Sequence, residues 1–427
     1  MTGDPIRLPR DIEPRRYDLT IVPDLQAARF AGEVTIELDV RTPVAEVVLH
    51  ALELEVELGV LSQSGRDLPA TLATDTEAER LRVSSSELAP GPASLTLRFK
   101  GELSENLVGF YRSTYIDDAD TTRTLATTQF EAPHARRAFP CFDEPEFKAV
   151  FSITLVVDHG LVAISNGPEI DRSPDADGRV RIRFGETIPM STYLVAFVVG
   201  PLEVSAPIDV DGTPLRIVTA PGRGHLGSFA TEVGAFALRF FTEYYGIEYP
   251  GAKLDLVALP DFAFGAMENL GCVTFRESAL LVDQADVTQT EAAQVALTIV
   301  HEIAHMWFGD LVTMKWWNGI WLNEAFATFM QYAGVDALRP EWCTWDDFAL
   351  QRAAALDVDA LSNTRAVEYE VSTPEDADAM FDVLTYLKGG SVVRMLERWL
   401  GASSFRDGVR YYLDRYKFAN TETTDLW

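Results

Sequence analysis

His301-Glu302-Ile303-Ala304-His305 and Glu324, which follows after eighteen further residues, are the side chains of this 427-residue chain best placed by type and spacing to do chemistry. Residues four apart on a helix lie on nearly one face, so both imidazoles can reach a single metal ion. Glu302 is rotated from His301 by about 100°, the helical repeat, and can face a metal-bound water instead of the metal. Glu324 can supply a third ligand from a following helix. Two His and one carboxylate leave a fourth zinc position open, the pattern of catalytic and not of structural zinc. Such a metal lowers the pKa of its water to about 7, and Glu302 can take the proton as that water attacks a carbonyl. The chemistry expected is metal-assisted hydrolysis.

A His-Glu-x-x-His run also arises by chance on solvated helices, and the flanks argue against that here. Glu291 to Val300 is a run of good helix formers leading into His301, and Gly309-Asp310 reads as its stop. Trp316-Trp317-Asn318-Gly319-Ile320-Trp321-Leu322-Asn323-Glu324-Ala325-Phe326-Ala327 starts a second helix rich in aromatic anchors.

The elements ahead of these helices are of another kind. Val34, Ile36, Leu38 and Val40 alternate with polar residues, as do Leu95, Leu97 and Phe99, and Phe151, Ile153, Leu155 and Val157. Asp177-Gly178 predicts a turn before a strand at Val180, Ile182 and Phe184. Half-buried strands of this sort predict an antiparallel sheet or sandwich. After about Gly200 the pattern changes to a strand at Leu215 to Thr219, a helix from Ser228 to Tyr245 and a strand at Leu254 to Leu259. Further helices are expected around Trp321 to Val335, Lys388 to Leu400 and Phe405 to Tyr416. The expected class is α+β, with a β domain over residues 1–203 and a catalytic α+β domain over 204–427.

Composition sets the outer bounds. The length exceeds one typical core, and 47% hydrophobic content is that of a folded chain. A net charge of −29 argues against nucleic acid or an anionic membrane as partner; it favours solubility, or the steering of cationic substrates. Cys141, Cys272 and Cys343 are far apart and form no CxxC pair, so buried thiols in a reducing compartment are expected. The N-terminal stretch MTGDPIRLPRDIEPRRYDL has no apolar run resembling a signal peptide, and no 18-residue apolar stretch occurs. These features predict a cytoplasmic protein.

Gly265-Ala266-Met267-Glu268-Asn269 follows Pro260-Asp261-Phe262-Ala263-Phe264, and small residues beside a carboxylate let backbone and Glu268 approach a ligand closely. This motif, set about thirty residues before the His pair, together with Glu324 in WLNEAFA, resembles the M1 family of zinc aminopeptidases, the gluzincins. Gln129-Phe130-Glu131-Ala132, Phe139-Pro140-Cys141-Phe142-Asp143-Glu144-Pro145 and Tyr386-Leu387-Lys388-Gly389 match it too, so the resemblance covers essentially the whole chain.

The resemblance implies a thermolysin-like catalytic domain and one zinc ion held by His301, His305 and Glu324, with Glu302 as general base. It implies that Glu268 binds the free α-amino group of a peptide, with Glu131 as a second contact. Tyr386 matches a tyrosine that stabilises the tetrahedral oxyanion. Gly265 and Ala266 match backbone lying along the substrate, while Gln129, Met267 and Asn269 stand in the same substrate-binding stretches. An α-amino group is largely cationic at neutral pH, so carboxylates at the closed end of a cleft would select a free N-terminus. Two other readings remain open at this point: an epoxide hydrolase of the same fold, and a non-catalytic zinc-binding interaction module. Long members of the family continue into further C-terminal domains, whereas this sequence stops at Thr424-Asp425-Leu426-Trp427. Those absent domains are therefore the expected native partner, and an exposed apolar patch is expected near the C-terminus.

Overall fold

The structure is a computed structural model, in which residues 7–117 and 119–427 are described. The start of the N-terminal stretch read above lies outside the described residues. Contacts divide the chain into two compact units, Met1–Leu202 and Glu203–Trp427.

Alternating strands build the first unit. Its largest sheet orders eight strands as Glu169–Pro174, Val180–Phe184, Val150–Val157, Ile12–Asp24, Arg29–Val40, Gly91–Glu102, Glu55–Gln63 and Arg66–Leu68. A four-stranded sheet runs Val162–Ser165, Phe197–Gly200, Thr122–Gln129 and Gly109–Ile116, and a three-stranded one Val44–His50, Arg80–Leu88 and Ala70–Asp75. One pairing departs from the antiparallel expectation: Ile12–Asp24 lies parallel to Val150–Val157, with Tyr17 opposite Phe151. Alternation fixes which face of a strand is buried but not the direction of its neighbour. The two rings stack with centroids 4.7 Å apart, and the Tyr17 hydroxyl accepts the Phe142 N–H at 3.1 Å.

That contact anchors the Phe139–Pro145 stretch, which folds as a buried clamp. Arg136 Nε donates to Asp143 Oδ2 at 3.0 Å, its other arm reaches Glu79 at 2.7 Å, and Thr192 donates to Asp143 Oδ1 at 2.7 Å. His50 and Cys141 exchange backbone hydrogen bonds, and Nδ1 of the buried His50 ring has no hydrogen-bond partner among the described residues. Burial, with Arg136 and Arg80 nearby, holds the His50 pKa well below its ordinary 6.5. The folded chain therefore keeps His50 neutral while the unfolded chain protonates it below 6.5, so stability falls as pH drops through that value. Denaturant titrations of the parent and of His50→Asn from pH 7.5 to 5 should diverge in slope by at most about 1.4 kcal/mol per pH unit, the parent losing more. Parallel slopes would show that His50 is protonated in the folded chain.

In the second unit three parallel strands, Thr213–Thr219, Leu254–Leu259 and Cys272–Arg276, form the sheet centre. Ala266–Met267 adds an antiparallel edge to Cys272–Arg276. Helix α1 (Ser228–Tyr245) connects the first two of the parallel strands, and α2 (Gln289–His305), α3 (Trp321–Leu338), α4 (Thr344–Asp359), α5 (Pro374–Ala379), α6 (Gly389–Leu400) and α7 (Ala402–Tyr416) follow the last. A capping box starts α2: Thr288 Oγ1 accepts the Glu291 N–H at 3.3 Å, and the Glu291 carboxylate accepts the Thr288 N–H at 3.0 Å. The helix ends at His305 and does not run on to Gly309; the chain turns through Met306–Phe308, and Gly309 takes φ 139°. A Cβ there would lie 3.2 Å from the His305 ring, so this glycine leaves room for the imidazole instead of merely stopping the helix.

Helix α3 begins at Trp321, as expected, after a single 3₁₀ turn at Trp317–Gly319. Glycines bring its neighbours close. A Cβ on Gly334 would meet Val300 of α2 at 2.7 Å, and one on Gly389 would meet Ala325 at 2.7 Å. Lys388 falls in a π-helical turn, Leu384–Lys388, so α6 starts one residue later than expected. Large apolar side chains stand exposed near the C-terminus, as expected: Met395, Trp399 and Trp427 are 65%, 80% and 67% exposed. One expectation needs correction. Cys343 is exposed, lying just ahead of α4 with φ 55°, whereas Cys141 and Cys272 are buried. Among the described residues no helix is long and apolar enough to cross a membrane.

Candidate functional site

Helix α2 carries His301, Glu302 and His305 into the interior of the second unit, where all three are buried. The contact of Gly334 with Val300 presses α3 against this helix and brings in Glu324, which is 2% exposed. Nε2 of His301 and Nε2 of His305 lie 3.0 Å apart, and Glu324 Oε2 lies 3.1 Å from the first and 3.4 Å from the second. Four-coordinate zinc with ligand bonds of 2.0–2.2 Å would separate its donor atoms by about 3.3–3.6 Å. Two nitrogens and one carboxylate oxygen thus already stand near the spacing that a tetrahedral ion requires.

The outer nitrogens are committed elsewhere. His301 Nδ1 lies 2.7 Å from Gln331 Oε1 and His305 Nδ1 lies 2.9 Å from the Phe308 carbonyl. Each partner can only accept at that atom, so each ring is protonated at Nδ1, and in the neutral ring Nε2 keeps its lone pair. Sequence reading did not single out Gln331. The signal was available, since it stands seven residues beyond Glu324 on the same face of α3. Phe308 acts through its backbone and left no such signal.

Charge also points to a cation. Glu268, Glu302 and Glu324 are 2%, 6% and 2% exposed, and among the described residues none pairs with a Lys or Arg. Burial raises the Glu268 carboxyl to about 6, against the pull of His305 and with the push of Glu324. Glu302 is driven well above its ordinary 4.5, again by burial first, with His305 opposing and Glu268 and Glu324 adding to it. Burial opposes charge on Glu324 as well, but His305 and His301 outweigh it and bring its pKa down to about 2. His305, 3.8 Å from Glu268, is raised well above 6.5 despite burial, because carboxylates surround it. Burial lowers His301, which has a single carboxylate neighbour. Without a metal the cluster thus keeps a proton on His305; a divalent ion in its place would satisfy the same carboxylates. The donor chemistry and spacing fit such an ion.

Glu268 lies beyond the short strand Ala266–Met267, with Oε1 buried and, among the described residues, without a hydrogen-bond partner. Met267 and Asn269 are buried, and Asn269 Nδ2 donates to Thr274 Oγ1 at 3.1 Å. A Cβ on Gly265 would meet nothing within 4 Å, so protein packing does not demand glycine there. Tyr386 lies in the π-helical turn with its ring centroid 5.9 Å from that of His301. The second unit therefore brings Glu268, His301, Glu302, His305, Glu324 and Tyr386 into one neighbourhood. Gln129 and Glu131 belong to the first unit, where they end the strand Thr122–Gln129 and begin the turn after it, 2% and 7% exposed.

Two family models match the chain: the peptidase M1 N-terminal domain over residues 13–194 and the peptidase family M1 domain over residues 229–427. Aminopeptidase M1-A of Oryza sativa subsp. japonica is 42% identical over 428 residues, covering 99% of this chain and 48% of the relative. Aminopeptidase M1 of Arabidopsis thaliana is 41% identical, over 100% of this chain and 49% of the relative. The puromycin-sensitive aminopeptidase of Caenorhabditis elegans is 40% identical, over 99% and 45%. The chain spans about half the length of the curated relatives it matches.

Proposed function

The chain belongs to peptidase family M1, and from that premise we propose that it hydrolyses the N-terminal peptide bond of peptides with a free α-amino group. The observation that carries this reading is the convergence of His301 Nε2, His305 Nε2 and Glu324 Oε2 beside two further buried carboxylates, Glu268 and Glu302, that pair with no Lys or Arg among the described residues. His301, His305 and Glu324 would hold one zinc ion. When bound, zinc supplies a Lewis acid and lowers the pKa of water to about 7. Glu302 takes the proton as the water oxygen attacks the peptide carbonyl, and returns it to the leaving amine as the C–N bond breaks. Tyr386 donates its phenolic hydrogen to the developing oxyanion. Glu268, with Glu131 as second contact, receives the substrate ammonium, and the open space over Gly265 leaves room for substrate backbone along residues 265–269. In this reading residues 1–203 are the scaffold domain, contributing Gln129 and Glu131, and residues 204–427 the catalytic one.

The test compares leucyl arylamide with its N-acetylated form on the zinc-loaded chain. Acetylation removes the cation that a buried carboxylate would bind, so kcat/KM should fall by about a hundredfold or more. Equal cleavage of both would rule out an exopeptidase.

A further inference from the structure

One buried ammonium in the second unit takes no part in the chemistry above, yet it grips the loop that presents Glu268. Lys253, 3% exposed, precedes the strand Leu254–Leu259. Its Nζ donates to the Gly271 carbonyl at 2.6 Å and lies 2.7 Å from Asp255 Oδ2. Asp255 is fully buried and also accepts both arms of Arg216, Nε and NH2, at 2.6 Å each. That bidentate guanidinium already matches the carboxylate in charge and geometry. Neutralising Asp255 therefore does not require Lys253, and what the lysine adds is its reach to Gly271.

The bonds at Gly271 fix the end of the loop. Its carbonyl accepts the Asp255 N–H at 3.1 Å as well as the ammonium, its φ is 73°, and the Cys272 N–H closes the turn onto the Asn269 carbonyl at 2.9 Å. On the other side Asn269 is tied to Thr274, the residue paired with Met267. Residues 268–271 are thus held at both ends, while Glu268 Oε1 is buried with no hydrogen-bond partner among the described residues. A buried ammonium carries a desolvation cost that a methionine of similar length would avoid. A rigid loop carrying a correctly aimed carboxylate is a physical return on that cost.

We propose that Lys253 is a positioning residue for amine recognition: by clamping the Gly271 carbonyl it fixes the loop from which Glu268 meets the ammonium of the substrate. This rests on the aminopeptidase reading above. Two probes separate the role from simple loss of fold: leucine hydroxamate, and 4-methylpentanehydroxamate, which is the same molecule without its amine. Affinities for both are measured calorimetrically on the zinc-loaded full chain, with zinc stoichiometry measured in each variant. The parent should prefer the amine-bearing probe. In Lys253→Met that preference should shrink by about tenfold, the scale of a charge-assisted hydrogen bond, with zinc stoichiometry and affinity for the des-amino probe unchanged. Thr274→Val, which loosens Asn269 without touching any charge, should reduce the preference in the same direction and decides the matter if Lys253→Met does not fold. A preference that stays at the parent value, whether or not both affinities fall together, overturns the proposal. A parent with no preference sinks the amine-binding role of Glu268 itself, a failure distinct from that of Lys253.

Discussion

Glu302→Gln should retain one zinc per chain and lose about 10²–10⁴ in kcat/KM, the range that a general base contributes. The expectation comes from geometry. Glu302 shares α2 with the two histidines, yet it is absent from the donor cluster formed by His301, His305 and Glu324. Its neighbour in sequence points to the metal position while its own carboxyl is turned through one helical step. It is 6% exposed and pairs with no Lys or Arg among the described residues, so its carboxylate is costly to keep unless a cation stands close by. A divalent ion on the neighbouring ligands reverses that cost and leaves a basic carboxylate poised beside the attacking water. Glutamine keeps the shape and loses the basicity. Zinc by mass spectrometry and arylamide turnover would be read on the same preparation. Stoichiometric zinc loss would make Glu302 a ligand, and full activity would place the base elsewhere.

Local patterns made much of the scaffold legible, and the misreadings have identifiable physical causes. Ser228–Tyr245, Leu254–Leu259 and Val180–Phe184 were readable to the residue because period and end signals agree there. Helix ends were misread where tertiary contacts set them. Gly309 serves the His305 ring, and α6 starts only after the π-helical turn at Leu384–Lys388, where Gly389 and Gly390 pack closely on Ala325 and Thr328 of α3. The metal site could be read because three of its residues, His301, Glu302 and His305, follow one helical spacing rule. Gln331, Lys253 and the Phe308 carbonyl were not, because their roles exist only through partners far away in sequence or through the backbone.

Glu324→Ala should remove the metal itself, and with it both turnover and a measurable part of stability. Of the three donors it alone carries formal charge, and it alone comes from α3, with its oxygen 3.1 Å and 3.4 Å from the two imidazole nitrogens. Without it, two neutral imidazoles four residues apart remain, and binding to them no longer ties α2 to α3. A ligand that binds only the folded state adds RT ln(1 + [L]/Kd), about 2.7 kcal/mol at a free concentration one hundred times Kd. Parent unfolding followed by denaturant or calorimetry should therefore gain about that much between chelator and buffered zinc at one hundred times Kd. Glu324→Ala should show almost none of this gain, and its turnover should fall at least as far as that of Glu302→Gln. Glu302→Gln should keep the zinc-dependent gain while losing the chemistry. That contrast separates a ligand from a base in one pair of proteins. A zinc-dependent gain in Glu324→Ala equal to that of the parent would mean that the ion sits elsewhere, and the site described here would lose its claim to it.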